Sequence, residues 1–183
     1  MPLEETNTMA LNYHSISPHI RELMLQEFNH DLDCENCYYS KRFNDNGVKC
    51  FVDIMRKHII DGTDDGLAQE LKERECFKSH EERVTAKGTT LAKVPVTAAQ
   101  TFAEGEFNRF YIRALCLKAI EENRQLKVYR ARHSENPRAD SEALLDSVVD
   151  PHKLLKDLRD NIGIDTSFGL PSGPNSGLSV FLI

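Results

Sequence analysis

The first half of the chain carries three segments in which apolar residues recur at the spacing of an α-helix. Ser17 and Pro18 open the first segment, because serine caps a helix N-terminus and proline suits the first helical position. The second segment, residues 48–61, ends at Gly62, and Thr63 caps the third segment. The apolar faces of the first two helices are predicted at Ile20, Leu23, Met24, Phe28, Phe51, Ile54, Met55 and Ile59.

The second half alternates between apolar runs of strand length and of helix length. Residues 89–102 are rich in β-branched side chains and contain Pro95, which predicts an edge strand or a bulged strand. Residues 104–123 carry apolar side chains on more than one face, which predicts a central and mostly buried helix. Three further elements are predicted: a strand at 125–133, a helix that starts at Asp150, and a terminal strand at 178–183.

This order of elements predicts an α+β fold, or a small α/β fold, in two parts. Residues 1–86 form a helical subdomain with a cysteine-bearing loop, and residues 87–183 form a β-α-β-α-β body packed against it. Strands that alternate with helices favour crossover connections, so the sheet of the body is predicted to be small and mixed or partly parallel.

Composition places the chain among soluble globular proteins. Apolar residues make up 40% of the chain, which is enough for a core, yet no run approaches the roughly 20 apolar residues of a membrane helix. The first ten residues contain no basic stretch followed by an apolar block, so no secretory signal is predicted. We therefore expect a cytoplasmic protein with reduced thiols and no membrane association.

Four of the five cysteines fall within the first 76 residues, and two of them form a Cys-x-x-Cys motif. Zinc binds four ligands in tetrahedral geometry, and such a motif presents two thiolates to one ion. The sequence thus offers a candidate structural zinc site. The predicted ligands are Cys34, Cys37, Cys50 and Cys76, with His80 and His30 as substitutes for the last of them.

Other interpretations of the motif stay open. An iron–sulfur cluster also uses four thiolates, but the cysteine spacing matches neither ferredoxin pattern. A redox pair is disfavoured because Asp33 and Glu35 lie beside the thiols, and nearby negative charge raises a thiol pKa. Alternatively, the cysteines pack as small apolar side chains without a ligand.

The net charge of −6 conceals one basic block, residues 107–138, which holds eight Lys or Arg and three Asp or Glu. Arg109, Arg113, Arg130 and Arg132 are the candidate residues for binding an anion or a partner. Arg109 and Arg113 lie four positions apart on one helix, so their charges repel each other. Three alternatives could offset that repulsion. They are Glu106, another acidic residue from the N-terminal half, and an external anion. The acidic segments of the chain could equally neutralise the whole block.

No local catalytic signature occurs: the nucleophile elbow, the zinc-protease helix, the phosphate loop and the dinucleotide fingerprint are all absent from the sequence. The sequence therefore favours a non-catalytic interaction, structural or assembly protein, such as an accessory subunit of a larger complex, a virus or a mobile element. A protein partner is expected, and a homo-oligomer is an open alternative. A second hypothesis is a nucleic-acid-binding or processing protein that uses block 107–138. A third is an enzyme whose dispersed site contains His133, Arg130 or His152.

Overall fold

The computed structural model describes residues 10–132, 135–163 and 177–183, which form six helices and five strands of an α+β fold. The helices are α1 (Pro18–Asp33), α2 (Asp45–Asp61), α3 (Asp64–Glu73), α4 (Ala98–Glu121), α5 (Ala139–Leu144) and α6 (Pro151–Asp160). The strands are β1 (His80–Thr85), β2 (Gly88–Lys93), β3 (Leu126–Arg130), β4 (Val148–Val149) and β5 (Leu178–Leu182).

Local capping residues set the start of four helices. The side chains of Ser17, Thr63 and Asp150 each accept a hydrogen bond from a backbone N–H in the first turn of the helix that follows. These three starts confirm the sequence prediction. Helix α2 begins at Asp45, three residues earlier than predicted, because the side chain of Asn44 caps it in the same way.

Helix α4 is the centre of the molecule, as the sequence predicts. It packs against α1, α3, α6 and β5, and apolar side chains on several of its faces are buried. One continuous core joins residues from both predicted parts of the chain. The division between residues 86 and 87 stays a prediction, and it falls in the turn between β1 and β2. None of the six described helices has both the length and the apolar composition that a membrane-spanning helix requires.

The three-stranded sheet has the order β4-β3-β5, and both outer strands run antiparallel to β3. The prediction of a partly parallel sheet is therefore wrong for the described strands. Strands β4 and β5 do point in the same direction, and the connection between them contains α6. Strand β3 lies between them, however, so each ladder in this sheet is antiparallel.

A second, two-stranded sheet was not predicted. Strand β2 covers only the first part of the segment 89–102 that was predicted to be a strand, because α4 already begins at Ala98 rather than near residue 104. Strand β2 also pairs with β1 and not with the sheet of the body. Helix α3 ends at Glu73, and Glu75 takes a positive φ of 52°. His80 therefore begins a strand and does not share a helical face with Cys76.

A buried ion cluster ties α1 to α4 and α6. Arg113 is fully buried, and its guanidinium donates to Asp31 Oδ2 at 2.6 Å, to Asp31 Oδ1 at 2.8 Å and to Glu27 Oε2 at 2.7 Å. Arg159 donates to both oxygens of Glu27, at 2.5 and 3.0 Å. The buried Arg113 and the half-buried Arg159 thus pair with two buried carboxylates, so the charges of Glu27 and Asp31 are compensated.

Acidification is expected to weaken this ion cluster. Burial raises the pKa of Glu27, but the hydrogen bonds and charges of Arg159 and Arg113 outweigh burial and lower the pKa below its ordinary value. The stabilisation is therefore complete above the ordinary glutamate pKa, about 4.3, and is lost as the pH falls through the folded-state pKa. Urea unfolding between about pH 6 and about pH 3 should show a smaller loss of stability for Glu27→Gln than for the wild type. Equal losses in the two proteins would contradict this assignment.

Candidate interaction surface

The cysteines predicted to bind zinc do not assemble into one site. Cys34 is exposed at the end of α1, with Sγ 4.0 Å from His30 Nδ1. Cys50 lies in α2 and donates from Sγ to Asn46 Oδ1 at 3.3 Å. Cys76 is buried after the end of α3.

Within residues 10–132, 135–163 and 177–183, no three His, Cys, Asp or Glu side chains form a group that could hold a metal ion. In this part of the chain, the predicted structural zinc ion therefore has no assembled group of ligands. The reason is tertiary: Cys37 is half-buried within the electrostatic influence of Glu106 and Arg113 of α4, whereas Cys50 lies in α2 and Cys76 follows α3. All five cysteines are free thiols.

Cys37 is also a poor nucleophile. Burial raises the pKa of its thiol to about 12, and the charges of Glu106 and Asp31 add to that effect. The direction agrees with the sequence argument against a redox pair, but the charge comes from Asp31 and from Glu106 of α4 rather than from Asp33 and Glu35.

The repulsion between Arg109 and Arg113 is offset inside the protein, which was one of the alternatives that the sequence left open. Glu106 Oε1 lies 3.4 Å from Arg109 Nε, and Glu27 and Asp31 of the N-terminal half bind Arg113. Both arginines are buried. An external anion is therefore not needed to explain their proximity.

Arg130 and Arg132 also contact the chain's own carboxylates. Arg130 Nη2 lies 2.5 Å from Glu142 Oε1, and Arg132 Nη1 lies 2.5 Å from Glu104 Oε2. Seven of the eight cations in block 107–138 have such a partner, namely Arg109, Arg113, Lys118, Arg124, Lys127, Arg130 and Arg132. Internal pairing reduces the charge that the block offers to phosphates.

The hypothesis of a dispersed catalytic site gains no support from the residues that it names. His152 is exposed in the first turn of α6, and Arg130 is paired with Glu142. His133 lies outside the described residues. A different pair, His58 and Glu70, is joined at 3.0 Å, but Gly62 and Gly66 lie directly against the His58 ring, where they leave little room for a substrate.

The feature that stands out on the surface is the antiparallel hairpin formed by β1 and β2, residues 80–93, here named the hairpin arm. Its register runs from His80 opposite Lys93 to Thr85 opposite Gly88. Gly88 closes the turn with φ +119°, a conformation that glycine adopts at little cost. All residues from 82 to 91 are exposed, so the hairpin arm projects from the body over most of its length.

Contacts at the base fix the hairpin arm to the body. Arg42 donates to Glu81 through Nε at 2.6 Å and through Nη2 at 3.0 Å, and Arg83 donates to the same carboxylate at 2.9 Å. These hydrogen bonds lower the pKa of Glu81 to about 2, although its side chain remains partly in contact with solvent. A backbone bridge between Phe43 and Phe77 lies next to this contact.

The outer half of the hairpin arm places two apolar side chains on one face. Side chains alternate along a strand and cross-strand partners share a face, so Val84 and Leu91 lie diagonally on the face opposite Glu81 and Ala92. Val84 is 88% exposed and Leu91 is 71% exposed. Neither side chain contributes to the core of the described structure.

The two edges of the hairpin arm differ in how well they are protected against pairing with another strand. Strand β1 carries Glu81, Glu82 and Arg83, and charged side chains discourage pairing with another strand. Strand β2 carries Lys93 as its sole charged residue. The β2 edge is therefore the better template for an added strand.

One sequence signal could have revealed the hairpin arm. Two short β-branched runs, Val84-Thr85 and Thr89-Thr90, flank three residues that end in Gly88, which is typical of a hairpin with a short loop. The signal is weak because β1 is otherwise polar and shows no alternation of buried and exposed positions.

Comparison with known proteins supplies no relative for this chain. No protein-family model matches the sequence, and neither the curated proteins nor the solved structures contain a significant match. The residues of the hairpin arm are therefore the basis on which a function is proposed.

Proposed function

We propose that this protein is a non-catalytic interaction or assembly protein that binds a partner protein through the hairpin arm. The observation that carries the proposal is the run of ten consecutive exposed residues, 82–91, with Val84 and Leu91 on one face. An accessory subunit of a larger complex could bind its neighbour through such an extension.

Physical considerations support a bound state for the hairpin arm. A two-stranded hairpin is only marginally stable without further packing. Full burial of a Val or Leu side chain contributes about 1.5–3 kcal/mol, and an added strand would satisfy the free backbone groups of β2. A partner would therefore stabilise the hairpin arm as well as bind it.

Site-specific photo-crosslinking in cells of the source organism tests the proposal. With a photoreactive residue in place of Leu91, we expect covalent capture of one discrete protein. The same residue at Val148, which is 58% exposed on β4, serves as the matched control and should capture nothing comparable. Capture of a second copy of this chain would identify a homo-oligomer. Absence of any adduct at position 91 would contradict the proposal.

The double variant Val84→Lys/Leu91→Lys is expected to abolish the partner interaction without unfolding the protein. Both side chains are exposed, so the free energy of unfolding should change by no more than about 0.5 kcal/mol. Lysine on an exposed strand also opposes the addition of a further strand. Thermal unfolding followed by circular dichroism measures stability, and co-purification with the crosslinked partner measures binding. Unchanged co-purification would show that the partner binds elsewhere.

A further inference from the structure

An open groove of about 700 Å³ lies at the base of the hairpin arm, between the end of α3 and the start of α4. Its volume is in the range of sites that bind small molecules or side chains. The half-buried side chains of Phe77 and Pro95 supply its apolar floor, above the fully buried Leu71 and Cys76. Val96, which is 92% exposed, stands on the rim.

Side-chain amides hold the walls of the groove in place. Asn44 Nδ2 donates to Glu75 O at 2.7 Å, and Asn46 Nδ2 donates to Arg74 O at 2.6 Å. Asn44 Nδ2 also donates to Phe77 O at 3.3 Å. These hydrogen bonds lock the turn after α3, so a ligand would meet a preformed site and lose less entropy on binding.

The rim of the groove is basic although the chain as a whole is acidic. Lys72, Arg74 and Lys78 line the groove, with Glu75 as the one carboxylate among the lining residues. Arg74 forms a salt bridge with Glu70 at 2.7 Å. Within the described residues, Lys72 and Lys78 form no salt bridge with a carboxylate, and Lys78 Nζ donates a hydrogen bond to Lys41 O at 3.1 Å. The site thus combines an apolar floor with positive charge at its entrance.

We propose that this groove binds an extended segment of a partner protein in which a large apolar side chain is flanked by Glu or Asp. The apolar side chain fills the floor beside Phe77, and the carboxylates face Lys72 and Lys78. The inference rests on the proposed function, since the ligand is a protein, but it uses none of the exposed residues of the hairpin arm. A nucleic acid would leave the apolar floor unfilled.

Fluorescence anisotropy with the full chain tests this inference. The probe is a labelled dodecapeptide with a central Leu-Phe pair flanked by glutamates. Its counterparts replace the glutamates by lysines or the Leu-Phe pair by serines, and a labelled single-stranded DNA dodecamer is the nucleic-acid probe. We expect the acidic apolar peptide to bind at least about tenfold more tightly than each counterpart, because like charges at the rim repel the lysine peptide. Its affinity should fall as salt is raised.

Surface variants assign the binding to the groove. Val96→Asp and the pair Lys72→Glu/Lys78→Glu should each weaken the acidic peptide by about tenfold or more. Their exposed positions allow the fold to persist, which circular dichroism verifies. Val148→Asp is the matched control for Val96→Asp and should bind the peptide as the wild type does.

Three results would overturn the inference: no binding of the acidic peptide, equal or tighter binding of the lysine peptide, the serine peptide or the DNA, or full binding by the groove variants. The variant Val84→Lys/Leu91→Lys separates the two proposals, because it should retain peptide binding while it loses the partner of the hairpin arm.

Discussion

Replacement of Arg113 by methionine is expected to lower the free energy of unfolding by about 3–5 kcal/mol. The guanidinium is fully buried and binds Asp31 and Glu27 at 2.6–2.8 Å. Methionine fills a similar volume but leaves the Asp31 carboxylate in the core without its cation. An uncompensated buried charge costs far more than the lost attraction alone, so breaking such a pair destabilises strongly.

Lys118→Met is the matched control for this change, because it removes a cation from the same helix. Lys118 pairs with Glu122 at 2.5 Å near the surface, where an ion pair contributes at most about 1 kcal/mol. Urea unfolding at neutral pH measures both variants. A loss below about 1 kcal/mol for Arg113→Met would show that the ion cluster is not a main support of the fold.

Phe51→Ala is expected to cost about 3–5 kcal/mol of stability. Phe51 is fully buried in α2, and its ring contacts those of Phe28, Phe43 and Phe102 at centroid distances of 5.3–6.3 Å. Truncation would leave a cavity where α1, α2 and α4 meet, since close-packed neighbours collapse only partly into such a space.

Val48→Ala in the same helix is the control, because Val48 is 49% exposed and its truncation should cost no more than about 0.5 kcal/mol. Thermal and urea unfolding compare the two variants. Similar losses for both would contradict the assignment of Phe51 to the centre of the core.

Helix positions could be predicted because their signals are local. Ser17, Thr63 and Asp150 mark helix starts through one side-chain hydrogen bond within the same turn. The central place of α4 was readable from apolar residues on several of its faces. The antiparallel direction of the strands could not be predicted. It depends on β3 lying between β4 and β5, and no local signal in the sequence indicates that order.

The candidate sites show the same limit. Cysteine spacing suggested a cluster, but spacing does not say on which side of a helix or loop a thiol lies, and the structure does not assemble the four cysteines. Counting charges located the basic block, but several of its partners, among them Glu27, Asp31, Glu104 and Glu142, lie outside it in the sequence. Internal neutralisation was one of two alternatives until those contacts were seen.

By itself, the sequence determined five of the six described helices, although not the start of α4 at Ala98, and it also determined the α+β class and the location of excess charge. Capping, periodicity and composition act over a few residues, so these features could be predicted locally. Only the tertiary structure decided which charged side chains pair with one another. It also decided that β2 pairs with β1 instead of joining the sheet of the body, and that a groove with a basic rim lies at the base of the hairpin arm. Those features arise from contacts between residues far apart in the chain, where the energy of burial and ion pairing exceeds any local preference.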